Sequence, residues 1–548
     1  MLPPDFWDYA ADDILELYTA LDDAIIRDIA RRLVKTGNVS ATAEWQIRQA
    51  QESGLLYDSI ISEIAKCTDA SEAQVRTLFE EAGIQSVKID SEIYSAAGLS
   101  PFPLAMAPAA MQVLQANVEK TSGHLRNLTM TTASQAQQAF IQASTLAEMQ
   151  VESGAFDYAT AIRSAVRKVG QSGSWVQYPT GHRDRLDVAV RRAVLTGVSQ
   201  TTGQIALAYA RDMGCDLMEI SAHAGARPSH AEWQGKVVSL SGRMGYLSLS
   251  DIGYGTGDGF KGWNCRHDWY PFFEGLSTAA YPRNVLDEYN SRTVEYDGKT
   301  MSYYDATQRQ REMERRIRDT KRTLAGYDEA IKESSGGLKA GLKADFDTTS
   351  AKLKRQEAAL SDFLHQTGLR RDATRVWASE FGRSQAQKAV WGAKRVEKAA
   401  RSGILSEEDV YSLYQYMSGK SYLINYAIRN KQPLSPEDQQ LVRAIDQAIE
   451  KLPEHHGTVY RSLSSEMMEN AKDFFSQHSP GKVVRYQAFT SASTSVYDSS
   501  FDIQLIIKSK HGRDMRKYNP REQEIIFARG SLFRVLKREG RTIWLTEI

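Results

Sequence analysis

Apolar positions in the first third of the chain recur at helical spacing. Ile14, Tyr18, Leu21, Ile25 and Ile29 stand three or four residues apart, the stripe of one helix face, and Gly37 follows as a stop. The stretches EAQVRTLFEEAG and TASQAQQAFIQASTLAEMQ carry the same period, so residues 1–200 predict a helical region. The texture changes at DLMEISAHAGARPSHAEWQGKVVSL. From there to PFFEGLS, short β-like runs alternate with Gly, Pro and Asn turns, which predicts a small mixed α/β unit over 201–300. Between about Ser302 and Leu369 the spacing becomes heptad-like. Met313, Ile317, Leu324 and Ile331 form one seam; after SSGG (334–337), Leu342, Phe346, Leu353, Leu360 and Phe363 form another. This predicts an antiparallel helical hairpin within 301–400, turning at the glycines, with its Arg/Lys-rich faces in solvent.

The last stretch, 401–548, opens with helical text and then switches period. Ser435 can cap a helix, Pro436 suits its first position, Glu437 and Asp438 suit its first turn, and Leu441, Ile445, Ile449 and Leu452 form its stripe. After His456-Gly457 the period is two, through TVYRSL, YQAFTSAS, FDIQLIIKS, EIIFARG and the final hairpin turning at Glu539-Gly540, with Phe533 and Val535 facing Ile543 and Leu545. Helices followed by antiparallel strands predict an α+β domain on a curled sheet or sandwich. The whole chain therefore reads as multidomain α+β.

Composition narrows the class. At 548 residues the chain is too long for one core, and 42% hydrophobic with 25% charged residues excludes wholesale disorder. Lys+Arg and Asp+Glu both number 68, so no net field draws nucleic acid or an anionic membrane, and nothing in the pattern indicates nucleic-acid contact. Three cysteines, Cys67, Cys215 and Cys265, are too few for a disulfide framework and suit a reducing compartment. The acidic start MLPPDFWDYAADD lacks the basic and apolar regions of a signal peptide. The longest uncharged stretch, from Ser95, is broken by Pro101, Pro103 and Pro108; it predicts a buried loop or docking segment and no membrane span.

Three polar features fall on the C-terminal strands: Arg461 in VYRSL, Ser491 and Ser493 in FTSAS, and Glu522 and Glu524 in REQE. Each alone fits a decorated strand end. Arg, then an aromatic-led Ser motif, then Glu-x-Glu, in that order, resembles the clostridial-toxin-type mono-ADP-ribosyltransferases, over about 402–548. The resemblance implies that NAD⁺ is the substrate and that a split β-sandwich carries the site. It implies that Glu524 holds the ribose 2′-hydroxyl, that Glu522 orients and deprotonates an acceptor guanidinium, and that Arg461 clamps phosphate oxygens. Ser491 is implied to orient Glu524, in the register set by Phe489, with Ser493 as the alternative motif serine. Phe489, Ser491 and Ser493 join Arg461 as candidate nucleotide contacts, and Tyr518 is a candidate for acceptor recognition or else a packed loop residue. No metal is expected. Two positions depart from the family pattern: Ala492 replaces a Thr, and Ser462 replaces a Gly that would leave the nucleotide entrance open.

HAGARPSHAEWQGKV (223–237) and GWNCRHDWYPFFEG (262–275), behind a helical front and ahead of a basic hairpin, resemble the minor capsid or head-morphogenesis proteins of tailed bacteriophages, over about 5–400. The resemblance implies portal and capsid partners, a place in the virion, and a host protein target reached in the host cytoplasm after ejection. The alternatives are a structural head protein with an inactive transferase fold, or an NAD⁺ glycohydrolase. His223, His230, Cys265 and His267 have the residue types of a tetrahedral zinc site, but without a Cys-x-x-Cys pair a polar network is the expected reading. GYGTGDG (253–259) lacks the Lys-Ser/Thr of a phosphate loop and reads as a flexible loop, and His455-His456 read as a helix exit.

Overall fold

A computed structural model describes residues 2, 6–37, 43–152, 158–178, 180–379, 381–401, 404–417, 421–463, 471–496, 502–519 and 523–548. The front is helical: α1 (Asp12–Lys35), α2 (Ala43–Ala96), α3 (Pro108–Glu152), α4 (Tyr158–Ser172) and α5 (Leu186–Asp212). The predicted stripe of α1 is buried at all five positions, and Gly37 ends the helix region at φ +72°. The two other periodic stretches lie inside α2 and α3. The proline-broken segment connects those helices through a 3₁₀ turn, Leu104–Met106. Leu104 and Ala107 there are buried in the first core while Phe102 and Met106 are exposed, so the segment docks on the helices through part of its side chains. No helix among the described residues is long and apolar enough to cross a membrane.

A small three-stranded mixed unit follows. Strand β1 (Leu217–Ile220) is central and antiparallel to β2 (Val237–Ser239) and β3 (Trp269–Phe272). GYGTGDG forms tight turns that pack on themselves: a Cβ on Gly259 would meet the Gly253 carbonyl oxygen at 2.1 Å. It is a close backbone crossing and not the loose loop expected.

Helices α6 (Tyr303–Glu333) and α7 (Gly336–Thr367) make the hairpin, with Gly336 at φ +53° in the turn. Ile317, Leu324, Leu342, Phe346, Leu353, Leu360 and Phe363 are buried along its seams. Its basic face is not all in solvent. Arg322 is fully buried, its Nη2 2.8 Å from Asp22 Oδ2 but off hydrogen-bond alignment, and its Nε donates to Asp23 Oδ1 at 3.1 Å. Arg318 pairs with buried Asp187. Heptad reasoning places these arginines outside the hairpin's own seam; α1 and α5 then cover them.

The last part begins with α8 (Arg383–Arg401), α9 (Glu407–Gln415), α10 (Ser421–Arg429) and α11 (Pro436–Glu450). Ser435 caps α11 by accepting the Asp438 N–H, and Leu441, Ile445, Ile449 and Leu452 are buried as predicted. Each such aliphatic side chain contributes about 1.5–3 kcal/mol on burial. The strands are β4 (Glu454–Leu463), β5 (Val483–Arg485), β6 (Thr490–Ser493), β7 (Ile503–Asp514), β8 (Glu524–Phe527), β9 (Leu532–Glu539) and β10 (Thr542–Glu547). His455 and His456 lie within β4, not at a helix exit, because the strand starts before the period-two pattern becomes visible.

The strands form one hydrogen-bonded sheet in the order β8-β6-β4-β7-β10-β9-β5, and β8 also pairs with β7, so one end of the sheet closes on itself. The sheet is not wholly antiparallel: β7 and β10 run parallel. The closure needs β7 to bend, and it does so at a bulge between Ser509 and Gly512. There the buried carboxylate of Glu547 accepts the N–H groups of Lys510, His511 and Gly512 at 2.8, 2.7 and 3.2 Å, which supplies the partners that the broken ladder lacks. In the last hairpin Phe533, Val535, Ile543 and Leu545 are buried in one cluster, with Val535 opposite Leu545 and Phe533 opposite Glu547, and the register shifts between Val535 and Lys537.

Candidate active site

The closed end of the sheet gathers the polar strand residues. Arg461 projects from β4, and its Nη1 donates to the Ser491 carbonyl of β6. Burial pulls the guanidinium's pKa below its usual value, and Arg429 adds repulsion. An arginine so placed is still a cation at neutral pH.

Next to it, β6 and β8 pair antiparallel, with Ser493 opposite Glu524. Glu524 is 4% exposed and both its carboxylate oxygens are engaged. Ser491 Oγ donates to Oε1 at 2.6 Å, and Asn519 Nδ2 donates to Oε2 at 2.7 Å. Two neutral donors, one on each oxygen, fix the rotamer of this carboxylate. The preceding residue, Gln523, holds φ +47°, an unusual conformation for a side chain of this size, at the mouth of the strand.

Of the two serines, Ser491 makes the contact with Glu524. Ser493 is buried, and its Oγ accepts the Ser495 N–H at 3.2 Å. Phe489 does not open to the cleft: its ring is buried, edge-on to Tyr416 at 5.4 Å, and so ties α-helical and β elements together beneath the site. Tyr518 is 7% exposed and lines a cleft of about 470 Å³ with Asp514, Arg516, Lys517 and Gln523. Glu522 lies outside the described residues.

The departures from the family pattern are absorbed. Alternation sends Ala492 to the face opposite Ser491, where it is buried in the sheet's apolar cluster. Ser462 likewise alternates away from Arg461 and donates to Gln504 Oε1 on β7 at 2.9 Å. Sequence reasoning missed Asn519. Its signal was its place at the start of the Asn-Pro-Arg-Glu-Gln-Glu run, but only the turn from Met515, where the Asn519 N–H bonds the Met515 carbonyl at 2.7 Å, brings its amide to Glu524. Tyr416 and Tyr486 were missed too. Burial holds both phenols well above their usual pKa, and Tyr486 is hydrogen-bonded to His478 Nε2 at 2.7 Å. In the mixed unit, far along the chain, His230, Cys265 and His267 converge, and the His223 ring stacks on His267 at 4.5 Å.

Residues 388–543 match the family model described as ADP-ribosyltransferase exoenzyme. Residues 2–365 match the model described as phage minor capsid protein 2, and the chain belongs to that family. Among curated relatives, a putative NAD(+)–arginine ADP-ribosyltransferase Mav of Mycobacterium avium is 33% identical over 151 residues, 25% of this chain and 18% of the relative. A structural protein of Lactococcus phage LL-H is 31% identical over 103 residues, 18% of this chain and 28% of that one. The chain thus spans less than a third of the length of either relative. Among solved structures, exoenzyme S from Pseudomonas aeruginosa, in complex with human 14-3-3 protein beta and bound to carba-NAD, aligns with 28% of this chain and 80% of its own, at 19% identity and a TM-score of 0.24.

Proposed function

We propose that the C-terminal part is an NAD⁺-dependent mono-ADP-ribosyltransferase with arginine as acceptor, carried on a protein of the virion. The observation that supports it most is the double hold on Glu524, by Ser491 on one oxygen and Asn519 on the other, beside the half-buried cation of Arg461. In the reaction the bond between nicotinamide and ribose C1″ breaks, its electron pair leaving with nicotinamide. A guanidino nitrogen of the acceptor bonds C1″ and loses a proton. The transition state carries oxocarbenium charge, which a fixed, buried carboxylate stabilises without reorganising.

In this reading Glu524 holds the ribose 2′-hydroxyl and faces the growing charge, and Ser491 and Asn519 keep it in place. Arg461, anchored on the Ser491 carbonyl, turns its remaining N–H groups to phosphate oxygens. Glu522 orients the acceptor guanidinium and takes its proton, and the Tyr518 cleft receives the acceptor side. The name of the Mycobacterium avium relative favours arginine as acceptor. Membership of the minor capsid family favours portal and capsid proteins as partners and a target in the host cytoplasm after ejection.

The test is incubation of the full chain with NAD⁺ labelled in its ADP-ribose part, with and without agmatine. Labelled agmatine that disappears in Glu522→Gln, while nicotinamide release persists, is the expected result. Nicotinamide release without transfer points to a glycohydrolase. No NAD⁺ turnover under any condition leaves a structural protein with an inactive fold and overturns the reading.

A further inference from the structure

The mixed unit holds a second cluster, independent of the transferase site. A ring nitrogen of His230, one of His267 and Cys265 Sγ all lie within 4.8 Å of one another, and all three side chains are buried. Hydrogen bonds decide which nitrogen of each ring carries the proton. His230 Nε2 sits 2.8 Å from the Asp258 carbonyl, and His223 Nδ1 sits 3.0 Å from the Ala224 carbonyl. A carbonyl only accepts, so both nitrogens are N–H donors. His267 Nε2 lies 3.1 Å from Gln234 Oε1, whose identity is fixed because it also accepts the backbone N–H of His223 at 3.1 Å. His267 Nε2 is therefore a donor as well.

This leaves three lone pairs: His223 Nε2, His230 Nδ1 and His267 Nδ1. His223 Nε2 is buried and has no hydrogen-bond partner. His267 Nδ1 faces Cys265 Sγ at 3.6 Å. Imidazoles whose far N–H is held by an oxygen, with the near nitrogen bare, are the arrangement of metal-ligating histidines, because that second contact fixes tautomer and ring orientation. With Zn–S near 2.3 Å and Zn–N near 2.0–2.1 Å, the N···S edge of a zinc tetrahedron is roughly 3.6 Å. The bare His223 Nε2, beside two other imidazoles and a thiol, is a lone pair that an ion there would satisfy.

We propose that His230, Cys265 and His267 hold a structural Zn²⁺ ion and that His223 Nε2 completes its tetrahedron. The donor set, three imidazoles and one thiolate, is of the borderline softness that zinc takes, and four protein ligands leave no open position for catalysis. Binding displaces the Cys265 S–H proton to solvent. The ion ties the short helix Pro228–Ala231 to the turn-rich segment ahead of β3, where regular hydrogen bonding is sparse.

The full chain, purified without chelator, is expected to carry roughly one zinc by elemental mass spectrometry. Cobalt substitution is expected to give intense tetrahedral d–d absorption and a thiolate charge-transfer band, both read on the folded wild-type chain. Cys265→Ser is expected to remove the charge-transfer band, and His223→Gln to weaken metal affinity about 10- to 100-fold while the other three ligands remain. A folded wild-type chain that contains no zinc and whose melting temperature does not move when Zn²⁺ is added overturns the site. So does metal content equal in wild type and Cys265→Ser.

Discussion

Glu524 has little freedom: one oxygen is held from β6 and the other from the turn before β8. The two serines of FTSAS are therefore separable. Ser491→Ala removes a donor from the carboxylate and is expected to lower kcat for NAD⁺ turnover on the order of 100-fold, since small misplacements at a reacting centre carry costs of that size. Ser493→Ala loses contacts to the N–H and hydroxyl of Ser495, none of them to Glu524, and is expected to stay within about threefold. Steady-state nicotinamide release by both variants decides it; equal losses would remove Ser491 from the orienting role. At this scale the sequence carried much of the site. Arg461, Ser491 and Glu524 were legible as candidates through their resemblance to a family motif, and the period-two pattern of their strands gave only the face each one takes. Asn519 was not, because a turn residue has no period to read, and only the chain reversal from Met515 aims it.

At the scale of elements, the junction of α1, α5 and α6 is held by buried charge. Arg322 meets Asp22 and Asp23, and Arg318 and Arg185 meet Asp187. Removing one partner strands the others, so Arg322→Ala is expected to cost about 3–5 kcal/mol in the urea unfolding of this region. Burial alone would raise the pKa of Asp187, but Arg318, Arg322 and Arg185 outweigh it and hold the carboxyl far below its usual value. Its folded pKa is thus depressed, so its contribution is fully present above the unfolded value of about 3.9 and is lost as pH falls from there toward the folded pKa. Asp187→Asn is expected to be less stable than wild type at pH 6, with the gap narrowing below about pH 4. Denaturation midpoints at pH 6 and pH 3 test this; a gap that does not change with pH would mean the carboxylate's charge is not what stabilises the junction. The same junction shows why a basic helix face cannot be assigned to solvent from the hairpin's own heptads: its cover comes from helices more than a hundred residues earlier in the chain.

Across the whole molecule, one buried apolar cluster runs from Leu2 to Ala389, and a second joins Ala393 and Val396 of α8 to the helices α9 and α11 and to Phe489, Tyr518 and Ile526 around the site. Helix α8 thus belongs to both cores. Its charged positions also bind the hairpin, Lys388 to Asp328 at 2.6 Å and Glu397 to Lys354. A fragment beginning at residue 383 is expected to fold and retain NAD⁺ turnover. One beginning at 404 loses the Ala393 and Val396 contacts and is expected to be destabilised by roughly 2–5 kcal/mol. Thermal melts and turnover of the two fragments check it; equal stability would place α8 outside the second core.

By itself the sequence determined what is local. Helical and strand periods, the Ser435 cap and the turn at Gly336 follow from dihedral preference and side-chain alternation within a few residues; the order Arg461, Ser491, Glu524 was legible by its resemblance to a family motif. Tertiary structure decided what depends on partners distant in the chain. The parallel pairing of β7 with β10, the closure of β8 onto β7, the covering of Arg322, the turn of Asn519 onto Glu524 and the convergence of His223, His230, Cys265 and His267 are all of this kind. The reason is physical: a period says which face of an element must be covered, but what covers it is set by space and hydrogen-bonding groups left open elsewhere in the fold.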